Sequence, residues 1–346
     1  MIVRLPAALV LMVCASGCPS TPAGAPAATK AACRAAGHRL TAKLIERNRK
    51  RYVAVRDRAL AYLDTFAIDP VELRARGIKG RKKLVELLDG YVAVHRHADA
   101  PLRQQLSVRF RKAASVTARP DYHDMATVDD KQFRQDATSY LRACYLMEKM
   151  GLDTSAYRKE IAKVRPRLDA HMSRRGAHQR MAFGWYYRHF GFELPPALRE
   201  PPKSSVIARR VNPYLLRAEQ AYDLTHEVFV PFDYGGKLTT ADLSAADRSY
   251  LRRALEVQTT IWIGRRNADL VGELLTCMRF LGDTDLQVFR DGIGYLLASQ
   301  RPNGAFGDYE RHRARRGDQL ELDAYLHTTS VALDILPLAF EGPPAR

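Results

Sequence analysis

The chain has 346 residues, 46% hydrophobic and 27% charged, with 55 Lys+Arg against 38 Asp+Glu and a formal net charge of +17. That apolar content excludes a disordered chain and is enough for one large domain or two ordinary ones. Five cysteines without a Cys-x-x-Cys spacing exclude a disulfide-stapled scaffold and a zinc ribbon, and Cys144 and Cys277 are expected as buried free thiols.

Residues 1–17 read as a secretory signal: Arg4 supplies a positive charge, and Leu5 to Val13 is an apolar run. That run is too short to cross a bilayer as a helix, which takes about 20 apolar residues. The ending Ala15-Ser16-Gly17-Cys18 resembles a bacterial lipobox, with Ala15 where many lipoboxes carry leucine. The resemblance implies a lipoprotein with Cys18 acylated, palmitate included, and placed at the mature N-terminus. It implies export and anchoring to a bacterial cell membrane, at the outer membrane or the periplasmic face. An uncleaved anchor or an ordinary cleaved signal is the alternative. Export argues against nucleic acid as a partner, so the basic surface is expected to face anionic lipid or an acidic envelope polymer. Residues 18–40, rich in Pro, Ala, Thr and Gly, read as a flexible tether spanning ~20 Å.

An N-terminal helical region follows over 41–128, with helices expected at Thr41 to Phe66, Arg81 to His97 and Pro101 to Ser115. The second region, 129–346, opens with N-cap candidates Asp129 and Asp130 for a helix to Met150, closed by Gly151. A helix from Thr154 carries Pro166, where a kink or break is expected, and Ala177 to Phe190 carries an aromatic run. Pro195 to Pro202 is a connector. Asn212 as N-cap and Pro213 at the first helical position predict a helix ending near Val230, because Pro231 disfavours helical geometry before it. Further helices are expected near Ser244 to Gly264, Asn267 to Leu281, Asp285 to Gln300 and Leu322 to Ala339. No alternating strand pattern occurs, so the class is all-α.

The segment Tyr222 to Gly236 concentrates candidate chemistry. On its helix Leu215, Ala218, Tyr222, Thr225 and Phe229 share one face, with Glu219 and His226 at its edge. Glu227 and Asp223 point further round and are expected to be solvated. There is also a weak internal echo: Leu141 to Asp153 and the helix and Gly176 loop after it resemble Leu274 to Asp283 and the helix and Gly304 loop that follow. Stacked helical hairpins are the expected consequence.

Tyr295-Leu296, Gln300, Gly304 and Phe306 reproduce the spacing of the Q-and-W repeat of terpenoid cyclases and protein prenyltransferases, with phenylalanine in place of tryptophan. Tyr325-Leu326-His327-Thr328 is similar to the Tyr-His-Thr segment of the prenyltransferase branch. The Leu-Thr-His-x-Val-Phe element beginning at Leu224 resembles one in an uncharacterised family of bacterial helical domains. Together these imply an α/α toroid, stacked helical hairpins around a central cavity, with extra N-terminal helices. No Asp-x-Cys precedes His327 and no Asp-rich acid motif is present, so the resemblance implies architecture without the chemistry. No fixed metal-ligand spacing and no cofactor motif is present, so no metal site is assigned and the sequence leaves metal content and cofactor open.

His226 and His327 are the candidate acid, base or ligand residues, because an imidazole titrates near ~6.5. Asp233 and Asp308, on loops, could complete a catalytic set with them, while Tyr222, Phe229, Glu219 and Phe306 are expected to line the cavity. The competing explanation is structural: histidines satisfied by one hydrogen bond and aspartates capping turns. Two functions follow. One is an envelope protein that binds a ligand or partner through the cavity; the other is an enzyme processing a glycan or isoprenoid-like substrate.

Overall fold

Among the described residues, most segments with an apolar stripe at helical spacing fold as helix. A computed structural model describes residues 51–74, 80–199, 203–236, 243–317 and 319–340. The signal, Cys18 and the tether lie outside the described residues. The main helices are α1 (52–63), α2 (Arg81–His95), α3 (Ala100–Ala114), α4 (Asp130–Lys149), α5 (Ser155–Met172) and α6 (Ala177–Phe190). They continue as α7 (Ala218–Phe229), α8 (Ala245–Gly264), α9 (Ala268–Leu281), α10 (Gln287–Ala298) and α11 (His327–Phe340), the last preceded by a π-helical turn at Glu321–Leu326. Among the described residues the only β pairing is an isolated bridge between Gln300 and Phe306.

Local capping chemistry sets where these helices begin and end. Asp129 accepts from the Gln132 N–H (2.8 Å) to start α4, and Asn267 accepts from the Leu270 N–H (3.2 Å) to start α9. Gly151 (φ 68°) and Gly282 (φ 79°) then stop those two helices in the left-handed region. Each is followed by a bond back into the last turn, Leu152 N–H to Met147 C=O and Asp283 N–H to Met278 C=O. The internal echo thus corresponds to two helices ended by one device. The thiols of Cys144 on α4 and Cys277 on α9 are both free and buried.

From Tyr52 onward the chain is one compact unit, in which α2 packs on α3, α4 and α11. Helix α6 packs on α7, α7 on α9, and α9 on α8, α10 and α11. The apolar core between them includes Leu88, Tyr140, Leu146, Leu224, Leu274 and Leu333.

Three local expectations differ from the structure. Asn212 caps only a 3₁₀ turn, Pro213–Leu215, after which Leu216 and Arg217 are extended and α7 starts at Ala218. The buried side chain of Gln258 on α8 donates to the Pro213 carbonyl (2.5 Å), holding the turn by a tertiary contact that competes with helix propagation. Helix α5 runs continuously through Pro166. Glu227 is buried, not solvated: its carboxylate accepts from the Val206 and Ile207 N–H groups (2.8 and 3.0 Å), at the start of the short helix Val206–Arg209. The negative charge there meets unpaired backbone donors, which offsets its desolvation.

The segment resembling a Q-and-W repeat acts as a clamp. Gln300 Nε2 donates to the Val55 carbonyl of α1 (2.8 Å) and to the Gly304 carbonyl (3.1 Å), while Arg58 Nη2 donates to Gln300 Oε1 (2.6 Å). Phe306 is fully buried, with its N–H bonded to Thr329 Oγ1 on α11 (3.1 Å). The loop 300–306 therefore ties α1 to the C-terminal end of the chain.

Candidate functional site

A cavity of about 530 Å³ is lined from six helices: α2, α4, α6, α7, α9 and α11. Its aromatic wall comprises Tyr186, Tyr222, Phe229, Tyr234 and Phe280, and its charged wall brings Glu86, Asp89, Asp269, Glu273 and Asp334 together with Lys82, Arg96, Arg142, His226 and His327. A concave site of this size, lined by aromatic rings and convergent polar groups, suits a small ligand.

His327, the first residue of α11, is at the centre of the charged wall. Its Nδ1 is 2.8 Å from Glu86 Oε2, and its Nε2 is 3.4 Å from Asp269 Oδ1 and 4.0 Å from Glu273 Oε1. Burial alone would lower the imidazole pKa, but the carboxylates of Glu86 and Asp269 outweigh it and raise the pKa to about 10. Burial likewise opposes charge on Glu86, and the imidazolium outweighs it, holding that carboxyl down at about 2. Glu273 has no such full partner, and burial pushes its carboxyl up.

The other candidate histidine faces the same carboxylate from α7. His226 Nδ1 lies 2.8 Å from the Tyr222 carbonyl, one turn back, and 3.8 Å from Glu273 Oε2. A ring nitrogen bonded to a carbonyl must carry the proton, which leaves Nε2 as the lone-pair nitrogen of the neutral ring. The two histidines thus flank Glu273. Tyr222 donates from its hydroxyl to Asp269 Oδ2 (2.5 Å), and Thr225 Oγ1 is bonded to Glu273 Oε2 (2.5 Å).

Of the remaining sequence candidates, Phe229 and Tyr222 are on the cavity wall, but Asp233, Asp308, Glu219 and Phe306 are not among the lining residues. Asp233 Oδ1 accepts the Trp185 indole N–H (2.6 Å) from a turn in which both Asp233 (φ 51°) and Tyr234 (φ 48°) are left-handed. That turn brings the Tyr234 ring to the wall, where the Arg142 guanidinium stacks on it at 4.8 Å. Asp308 is exposed and 3.6 Å from Arg266, and Glu219 is exposed on α7. Phe306 is core packing in the loop that ties α1 to α11.

Sequence reasoning passed over Asp269, Glu273 and Glu86. The only signal is a weak one: Ala-Asp-Leu-Val-Gly-Glu-Leu-Leu and Leu-Val-Glu-Leu-Leu set isolated acids inside apolar helical runs, without showing whether their face is buried. Four residues apart, Asp269 and Glu273 share one face of α9. Among the described residues, Asp269, Glu273 and His327 are a group with donor atoms all within 4.8 Å of one another, close enough to hold a cation.

The Glu86–His327 pair makes a pH-dependent contribution to stability. The histidine pKa is raised on folding, so its share is complete below about 6.5 and is lost as the pH climbs through about 10. The glutamate pKa is depressed, so its share is complete above about 4.5 and is lost as the pH falls toward 2. Glu86→Gln should therefore destabilise most between roughly pH 4.5 and 6.5, with the gap to wild type closing toward pH 10. Urea midpoints of both proteins across that range, with chelator present, check this; a gap that is flat with pH contradicts it.

The fold and the cavity define an all-α protein with a charged, histidine-bearing cavity. The chain belongs to the family described as Domain of unknown function (DUF6895), which matches residues 50–334 and so takes in every cavity-lining residue from Lys82 to Asp334. No curated protein and no solved structure matches the chain.

Proposed function

We propose that this chain is an exported, lipid-anchored envelope protein that binds a polyhydroxylated ligand, such as a short glycan segment, in the central cavity. The observation that carries the ligand is the lining itself: five aromatic rings interspersed with acidic and basic side chains around about 530 Å³. Rings stack on sugar faces, and charged side chains make the stronger hydrogen bonds to hydroxyls. Cys18 would carry the acyl anchor, residues 18–40 would hold the domain off the membrane, and the basic surface would face anionic lipid or an acidic envelope polymer.

The same reading takes the fold as an α/α toroid. In support, α2, α4, α6, α7, α9 and α11 all line the cavity, and α6 packs on α7, α7 on α9, α9 on α11, α11 on α2 and α2 on α4. Titration calorimetry with soluble envelope glycan fragments tests the proposal. Saturable binding that weakens at least tenfold in Phe229→Ala is expected, and no saturable binding up to millimolar ligand would rule it out.

One observation favours a hydrolytic variant of this reading, the lone-pair nitrogen of His226 on the cavity wall, fixed by the Tyr222 carbonyl. Turnover of a bound fragment that disappears in His226→Ala, with binding retained, would select it.

A further inference from the structure

The cluster on α9 and α11 is arranged in a way that glycan binding does not require. Each of its three members has one polar atom occupied by a neighbour and one turned toward the other two. Glu86 takes Nδ1 of His327, Tyr222 takes Oδ2 of Asp269, and Thr225 takes Oε2 of Glu273. What remains is Nε2 of His327, Oδ1 of Asp269 and Oε1 of Glu273, with Nε2 3.4 Å from the first oxygen and 4.0 Å from the second. Asp269 Oδ1 is a second, independent sign. It is buried on a residue only 8% exposed and accepts no hydrogen bond, the His327 ring at 3.4 Å being its ion-pair neighbour, and a buried carboxylate oxygen without a hydrogen bond is costly to keep unless a ligand completes it.

From this geometry we propose that His327 Nε2, Asp269 Oδ1 and Glu273 Oε1 bind one divalent transition-metal ion, of the zinc class, at the cavity wall. Ligand bonds of ~2.0–2.2 Å place neighbouring donor atoms ~3–3.6 Å apart, so the cluster needs tightening by only about an ångström. An imidazole with two carboxylates suits zinc, manganese or iron(II) better than calcium or magnesium, which favour all-oxygen shells. A histidine whose other nitrogen is held by a carboxylate is the usual orientation of a metal ligand, and the tyrosine and threonine hydroxyls fix the two acids in the same manner. Three protein ligands leave coordination positions toward the cavity, where an organic ligand could reach the ion.

The site is independent of which organic ligand enters, and its test uses metal alone. The full chain, stripped with chelator and dialysed against zinc, should retain one equivalent by elemental analysis and should melt at a higher temperature than the stripped form. Cobalt(II) in place of zinc should give visible d–d absorption. Asp269→Asn, Glu273→Gln and His327→Ala should each lose the absorption and the retained zinc. Glu86→Gln, which alters no ligand, should weaken zinc by ten- to a hundredfold through the orientation of His327, and Glu219→Gln, on the exposed face of α7, should bind as wild type. Circular dichroism separates a lost site from a lost fold; where one ligand variant fails to fold, the other two decide. Folded wild-type protein that retains no zinc overturns the proposal, as do folded ligand variants that retain it fully. Either result leaves glycan binding to be judged by its own calorimetry.

Discussion

Arg81→Met should destabilise the protein by about 3–5 kcal/mol, the cost of leaving a buried charge without its partner. Arg81 opens α2 and is fully buried. Its guanidinium pairs with Asp136 on α4 and with Asp124, donates to the Tyr122 carbonyl (2.8 Å), and stacks on the Tyr122 ring at 5.1 Å. Burial already pushes the Asp136 carboxyl up even with the arginine in place. Methionine fills much of the volume but cannot neutralise two carboxylates, so the loss is electrostatic. Urea denaturation should show it, with a fall in Tm on the order of 10 °C. Adding Asp136→Asn should recover part of the stability, since the uncompensated charge is then removed. A loss under about 1 kcal/mol would mean that the carboxylates are not held by Arg81.

A comparably large effect is expected from a single methyl group at Gly304. Its φ is +95°, a conformation that side chains rarely adopt, and a Cβ there would sit 2.1 Å from the Arg58 carbonyl oxygen of α1. The obstacle is backbone, held in place by Gln300 and Arg58, so it cannot move aside as a side-chain tip could. Gly304→Ala should cost roughly 3 kcal/mol, from left-handed strain plus separation of the loop from α1. Faster hydrogen exchange confined to α1 and the 300–307 loop would accompany it. An unchanged urea midpoint would show that the contact between loop and helix is not needed for stability.

Helix positions were legible because their signals are local. Asp129, Gly151, Asn267 and Gly282 cap or stop helices through bonds made within a few residues, so type and spacing suffice to place them. The interrupted helix at Leu216 was not legible, since its cause is Gln258, which is distant in sequence. The same division runs through the candidate site. His226 and His327 stand out in sequence as isolated imidazoles, whereas Asp233 was singled out for lying on a glycine-flanked loop, and its carboxylate is taken by the Trp185 indole. Glu86, Asp269 and Glu273 passed unnoticed because the charge pattern of a helix says which face is polar, not that a polar face points inward. Burial of those acids depends on α2, α9 and α11 meeting, and that meeting is tertiary.

The stacking of Tyr52 on Phe340, with ring centroids 5.0 Å apart, joins the first described helix to the last. Helix α2 also depends on the far end of the chain, since it packs on α11 and holds His327 through Glu86. While the chain is being made, the face of α1 that meets Phe340 and the face of α2 that meets α11 would therefore stay uncovered until residues 327–340 followed, α3 and α4 covering the rest of α2 earlier. Long-range closure of this kind slows folding and prolongs exposure to aggregation or proteolysis. In time as well as in space, then, α11 closes the carboxylate cluster, which cannot take its full form before His327 arrives to meet Glu86.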